Sequence, residues 1–203
     1  MKKGFTLIEM LVVIGIIAVL MGTGAGAYSG IVKAAEKKRC QELVANTATA
    51  LTALYQKNGA WPKALRRGNA TDVELDKDAA LPLAKAGYMS LSMNDNKTQL
   101  VGYDRFGIVS PWGAAHIKKR GAASSLSDKI GSRSLQDHIL HCALDLDGDG
   151  IIEGALVGGE SVDIRATAAV WCCGKDGVIE RYSTGLKKDD AYSWSYGQTQ
   201  GVK

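Results

Sequence analysis

Nine residues past the middle of the chain carry its densest chemistry. Asp145-Leu146-Asp147-Gly148-Asp149-Gly150-Ile151-Ile152-Glu153 sets carboxylates at alternate positions among glycines, with a hydrophobe at the eighth place and Glu153 at the ninth. This is the front half of a calcium loop, since that hard cation takes roughly six to eight oxygens from carboxylates, carbonyls and water. The twelfth position, where an EF-hand needs a bidentate Glu, is Leu156, so a full EF-hand helix pair is not expected. Carboxylates this close repel one another, and a bound cation is the simplest relief. Without a cation the stretch is an Asp/Gly turn.

A second cluster holds nitrogen and sulfur. His138-x-x-His141-Cys142 would put two ligands on one helix face, and Cys172-Cys173 could complete a zinc site. Adjacent cysteines chelate poorly, however, and no C-x-x-C spacing occurs. In an oxidising compartment the four cysteines pair with each other more readily than with a metal. No H-E-x-x-H, G-x-S-x-G or P-loop pattern is present, so the chain is not expected to be an enzyme.

Composition narrows the class further. With 203 residues, 46% hydrophobic and 23% charged, the chain reads as one globular domain with an appendage rather than as disordered. Glycine is frequent, 24 residues, but without the three-residue period of collagen. A net charge of +4, spread over many sites, gives no dominant nucleic-acid footprint, so no nucleic-acid partner is expected.

The elements that position these residues begin with an apolar run. From Met10 to Val32 there are 23 residues without a charge. As a helix this spans about 34 Å, enough for a hydrocarbon core of about 30 Å. It passes without a turn signal into Cys40, Leu43, Val44, Thr47, Ala48, Leu51, Leu54 and Tyr55, whose three- and four-residue steps mark one face of an amphipathic helix. Lys57-Asn58-Gly59 and then Pro62 stop it. One helix of about 50 residues therefore runs from about Thr6 to about Asn58. Its weakest stretch is Gly22-Thr23-Gly24-Ala25-Gly26, where each glycine costs up to about 1 kcal/mol.

Beyond it, a short helix is expected over Ala79–Ala86, ended by Gly87, and a Ser/Gly-rich exposed loop over 121–137. The alternation Val162, Ile164, Ala166, Ala168, Val170, Cys172 predicts one strand, Asp176-Gly177 a turn, and Val178–Ser183 a returning strand. The fold class is α+β: a long N-terminal helix, transmembrane in its first half and amphipathic in its second, packed on a small antiparallel β-sheet.

Lys3-Gly4-Phe5-Thr6-Leu7-Ile8-Glu9 followed by this apolar helix resembles the processing signal of type IV prepilins. The resemblance implies cleavage between Gly4 and Phe5 by a prepilin peptidase, methylation of the new N-terminal Phe5, and pairing of Glu9 with the Phe5 amine of a neighbouring subunit in a helical homo-oligomeric filament. It also implies a single-pass inner-membrane protein with its head in the periplasm. The flanking charges do not decide that orientation, because Lys2 and Lys3 face Lys33, Lys37, Lys38 and Arg39 across the span.

Two further stretches resemble the pseudopilins of type II secretion: Tyr55-Gln56-Lys57-Asn58-Gly59-Ala60-Trp61-Pro62, and Ser110-Pro111-Trp112-Gly113 with serine in place of aspartate. Asp176, Asp189 and Asp190 match the C-terminal calcium loop of the major pseudopilins, which makes calcium the implied cofactor there; Asp145, Asp147, Asp149 and Glu153 form the second candidate site.

The expected organisation is a leader (1–4), a transmembrane and assembly helix (5–32) and a periplasmic head (33–203). The head divides into the amphipathic half of the helix (33–58), a variable region (59–160) and a C-terminal sheet with its acidic loop (161–203). Cys142 is expected to pair with Cys172 or Cys173 in the oxidising periplasm, with Cys40 taking the remaining cysteine or staying buried. The implied function is a structural subunit of the type II secretion pseudopilus. Its implied partners are other pseudopilins, inner-membrane secretion components, the peptidase and membrane lipid. The alternatives are a type IV pilin for adhesion, motility or DNA uptake, and a membrane-anchored calcium-binding module.

Overall fold

The computed structural model of the chain describes residues 6–183, 190–194 and 199–202, with side chains throughout except at 20–29 and 200–202. Helix α1, Leu7–Asn58, is continuous over 52 residues and includes the glycine-rich stretch at 22–26. It ends at Gly59, whose φ of +67° gives the left-handed turn that glycine adopts without a Cβ penalty, and whose N–H donates to the Tyr55 carbonyl at 2.8 Å.

Two compact units divide at Glu36/Lys37. The first is the start of α1, where Leu7, Ile8, Leu11, Val12, Ile14, Ile16 and Val19 are all exposed. Among the described residues no helix is long and apolar enough to cross a membrane.

The second unit is the head, and the rest of α1 is part of it. Cys40, Val44, Leu51 and Leu54 are buried, so the three- and four-residue spacing read from the sequence is the packed face. Val44, Leu51 and Leu54 each contribute about 1.5–3 kcal/mol on leaving water. Thr47, also buried, satisfies its hydroxyl by donating to the Leu43 carbonyl at 2.7 Å.

This face packs on a four-stranded antiparallel sheet made of β1 (Val73–Glu74), β4 (His141–Leu144), β7 (Ala168–Cys172) and β8 (Ala191–Tyr192), paired in that order. Side chains alternate across it. Cys142, Leu144, Ala168, Val170 and Cys172 join α1 in one core, whereas Ala143, Ala169 and Trp171 point into a second. That second core lies against a three-stranded sheet of β5 (Ile152–Val157), β6 (Glu160–Ile164) and β9 (Thr199–Val202), through Ile152, Ala155, Val157, Val162 and Ile164. The architecture is thus a long helix packed on small antiparallel sheets, the α+β class expected.

The peripheral elements are short. Helix α2 (Lys77–Ala86) starts at Asp76, whose carboxylate accepts from the Asp78 and Ala79 N–H groups, and ends at Gly87 with φ of +75°, as expected. Helix α3 (Pro111–Arg120) was not expected. Ser110 is its N-cap, accepting from Gly113 N–H at 3.3 Å, and Pro111 fills its first position, so the Ser-Pro-Trp-Gly stretch starts a helix. The region read as an exposed loop, 121–137, contains a small hairpin of β2 (Lys129–Ile130) and β3 (Arg133–Ser134) and the fully buried Leu135.

Three expectations need correction. The single strand over 162–172 is two strands, β6 and β7, in different sheets, because the chain turns at Arg165–Thr167 with the Ala166 N–H donating to the Ile164 carbonyl. The two-residue alternation persists on both sides of the turn and so conceals it. Residues 178–183 do not return as a strand: the Glu180 N–H is held by the Asp190 carboxylate, and the place beside β7 is taken by β8. The sheet is also not confined to 161–203, since β1, β4 and β5 lie within the stretch expected to be variable.

Candidate functional site

At the start of α1, Glu9 and Thr6 form a reciprocal cap. The Thr6 N–H and hydroxyl donate to Glu9 Oε2 at 2.8 and 2.7 Å, and the Glu9 N–H donates back to Thr6 Oγ1 at 3.3 Å. This is a capping box, Thr-x-x-Glu, which satisfies two orphan donors of the first turn. The spacing is legible in the sequence, and it gives Glu9 a local role beside the one the resemblance implies. Gly4 and Phe5 lie outside the described residues.

The loop after β4 is built on the end of α1. Tyr55 and Trp61 stack with ring centroids 4.7 Å apart, and the Trp61 indole N–H donates to the Asp145 carbonyl. The Tyr-x-x-Asn-Gly-x-x-Pro stretch therefore positions the acidic loop. Asp145 is buried, and its two carboxylate oxygens accept from the Gly148 and Gly150 N–H groups at 2.7 and 2.9 Å. Asp149 accepts from the Ile151 N–H at 2.7 Å. Gly148 and Gly150 have φ of +83° and +85°, the left-handed turns that fold the carboxylates inward. One oxygen from each of Asp145, Asp147 and Asp149 falls within 4.8 Å of the others, the spacing a single cation would bridge. Glu153 is exposed on β5.

The C-terminal acidic residues are arranged differently. Asp190 is buried; its carboxylate accepts from the Gly174 and Glu180 N–H groups, both at 2.9 Å, and from the Tyr192 hydroxyl at 3.1 Å. Burial, then the neighbouring Glu180 carboxyl, pushes its pKa up to about 7. Asp176 is exposed and accepts from the Val178 N–H at 3.0 Å. Asp189 lies outside the described residues. In this arrangement Asp190 is a structural acceptor joining the 174–180 turn to β8.

The cysteines also depart from expectation. The disulfide joins Cys40 to Cys172, while Cys142 and Cys173 remain buried thiols. Cys142 stands opposite Val170 in the β4–β7 register, not opposite Cys172, and the Cys173 thiol faces the Asp137 carbonyl at 2.9 Å. Cys40, carried over the end of β7 by the packed face of α1, meets Cys172 instead. Burial pushes the Cys142 thiol well up, so it holds its proton.

The zinc set does not assemble either. His138 is fully buried in a turn, its Nδ1 3.1 Å from Ser110 Oγ and 3.5 Å from Cys173 Sγ, and its burial keeps the ring neutral. His141 is on β4, with Nδ1 2.7 Å from Asp72. The two rings serve different elements because this segment is a turn leading into a strand, not a helix.

Comparison with known proteins agrees with the N-terminus. Residues 1–25 match the prokaryotic N-terminal methylation motif. The chain is 35% identical over 63 residues to the type IV major pilin protein PilE of Neisseria gonorrhoeae, a match covering 31% of this chain and 38% of that protein. No solved structure matches. A methylation motif, leading into a 52-residue helix whose second part packs on a small antiparallel sheet, supports a type IV pilin-like protein.

Proposed function

We propose that the chain is a structural subunit of a type II secretion pseudopilus, anchored in the inner membrane by residues 5–32 and drawn from it into a helical filament that drives protein export. The observation that carries a filament role is the start of α1: large apolar side chains from Leu7 to Val19 are exposed around the helix, and Glu9 is the only charge among them. Such a surface needs lipid or neighbouring helices, and a lone carboxylate in it gains from a cationic partner. What favours the pseudopilin form is the Tyr55–Pro62 stretch, which anchors the acidic loop through Trp61 and Asp145. Under this reading the molecule acts mechanically, with no catalytic residues, and the partners are its own copies, other pseudopilins, the inner-membrane machinery and the prepilin peptidase. Calcium is proposed as a ligand, and the geometry favours Asp145, Asp147 and Asp149 over the loop ending at Asp190.

The identity to PilE favours a second reading, a type IV pilin. Disrupting the gene distinguishes them. Exported proteins retained in the periplasm support the pseudopilin, whereas intact export with loss of surface filaments overturns it in favour of the pilin.

A further inference from the structure

The mild net charge conceals a sharp segregation. Between Arg105 and Ser134 stand six Lys or Arg and one Asp, a balance of +5; between Leu135 and Ile164 stand seven Asp or Glu and no Lys or Arg, a balance of −7. The first stretch folds, together with residues 135–139, as a lobe with its own small core of Val109, Ile117, Leu135 and Ile139. Lys118, Lys119 and Arg120 are exposed on the last turn of α3, and Lys129 and Arg133 on the β2–β3 hairpin. Its acids are already engaged: Asp128 by His116 and Arg120, each at 3.4 Å, and Asp137 by the Ser134 N–H and hydroxyl at 2.7 and 2.6 Å. Beside α3 a turn presents Tyr103, 54% exposed, among these charges.

The lobe is pinned just before β4, through the Val109–Ile139 bridge and the Ser110 N–H on the His138 carbonyl. The acidic loop leaves β4 at its other end, after Leu144, and β4 separates the two by about 13 Å. There Asp147, Asp149 and Glu153 are exposed, as are Leu146 and Leu156, 47% and 45% exposed, and Leu146, Asp147 and Glu153 line a groove of about 300 Å³. Each pole sets one sign of charge beside apolar side chains, and the poles lie too far apart to satisfy each other within one head.

We propose that the basic lobe docks on the acidic, leucine-bearing pole of a second copy of this chain, head to tail, an inference that rests on the filament reading above. A heterologous contact of this kind propagates instead of closing, and opposite charges set its register. Like charges opposed across the same contact would resist it.

Charge reversal of the full chain in chelator-washed membranes tests this; the chelator removes cations that would offset the acidic pole. Multimers are read by chemical cross-linking. Lys118→Glu with Lys119→Glu should lower multimer yield about tenfold, and so should Asp147→Lys with Glu153→Lys. The chain carrying all four reversals, complementary again, should recover most of that loss, which misfolded protein would not. Unchanged multimers in either double variant, or no recovery in the quadruple one, overturns the docking while leaving the filament reading in place. An unmodified chain that gives no multimers overturns both. Retention of the unmodified chain on double-stranded DNA at physiological salt, abolished by the lysine reversals with multimers unaffected, would assign the lobe to nucleic acid and overturn the proposal.

Discussion

The Trp61 indole N–H donates to the Asp145 carbonyl, so a residue just past the end of the long helix holds the root of the acidic loop 84 positions along the chain. Trp61 is buried and stacked on Tyr55. Trp61→Phe keeps much of the ring packing but leaves a buried carbonyl without its donor, and should cost about 1–3 kcal/mol in urea unfolding. Trp61→Ala also removes the packing and should cost about 3–5 kcal/mol. Equal stability of both variants with the parent would mean that the loop is held by other contacts.

The cysteine arrangement makes a direct prediction. Denatured but unreduced protein should take up two alkyl groups, at Cys142 and Cys173, and native protein none, because both thiols are buried. Cys172→Ser should lower stability by about 2–5 kcal/mol, since the bond closes a loop across 132 positions. Peptide mapping that finds Cys142 in a disulfide would contradict the structure.

Local signals read well from the sequence, and long-range ones did not. The packed face of α1, its stop at Gly59 and the Gly87 end of α2 follow from periodicity and from the left-handed turns that glycine permits. The Cys40–Cys172 bond depends on where α1 crosses the end of β7, and strand register is not written in any local pattern. The break at Arg165–Thr167 was hidden because the alternation of Val162, Ile164, Ala168 and Val170 runs through it in phase. Of the two acidic loops, the one ending at Asp190 was the expected calcium site and Asp145–Glu153 the second candidate. They differ because Asp190 is buried with its oxygens held by Gly174, Glu180 and Tyr192, whereas the exposed Asp147 and Asp149 each bring an oxygen within 4.8 Å of Asp145. The Thr6–Glu9 cap was missed, although its Thr-x-x-Glu spacing is a local signal that could have found it.

Asp190 sets a pH dependence. Its pKa rises from an ordinary 3.8 to about 7 on burial, so between those values the folded chain holds more protons than the unfolded one. Its contribution to stability is fully present below 3.8 and is lost as pH rises towards 7. Urea midpoints of the parent, compared with Asp190→Asn, should fall through this window, and the variant should lack that fall. A parent whose midpoint rises relative to the variant would contradict it.

Calcium should stabilise the chain, by a free energy that grows with the logarithm of ligand over Kd and reaches about 2.7 kcal/mol at one hundred times Kd, and so raise its Tm. Asp147→Ala should abolish the increment, because it removes an exposed carboxylate with no part in the loop's own N–H bonds noted above. Identical melting in calcium and in chelator would show the loop to be a bare turn.

The central claim is that Glu9 joins subunits, and its cap on Thr6 makes a discriminating variant available. Glu9→Ala removes both the charge and the capping box, the latter worth about 1 kcal/mol of helix end. Glu9→Gln keeps an acceptor for the Thr6 N–H and hydroxyl while removing the charge. The decisive measurement is the yield of cross-linked multimers from membranes carrying full-length Glu9→Gln beside the parent. A structural subunit that assembles through this carboxylate predicts loss of multimers in the Gln variant with the head still folded and the Cys40–Cys172 bond intact. Normal multimers from Glu9→Gln would show that Glu9 only caps its own helix, and would contradict the account.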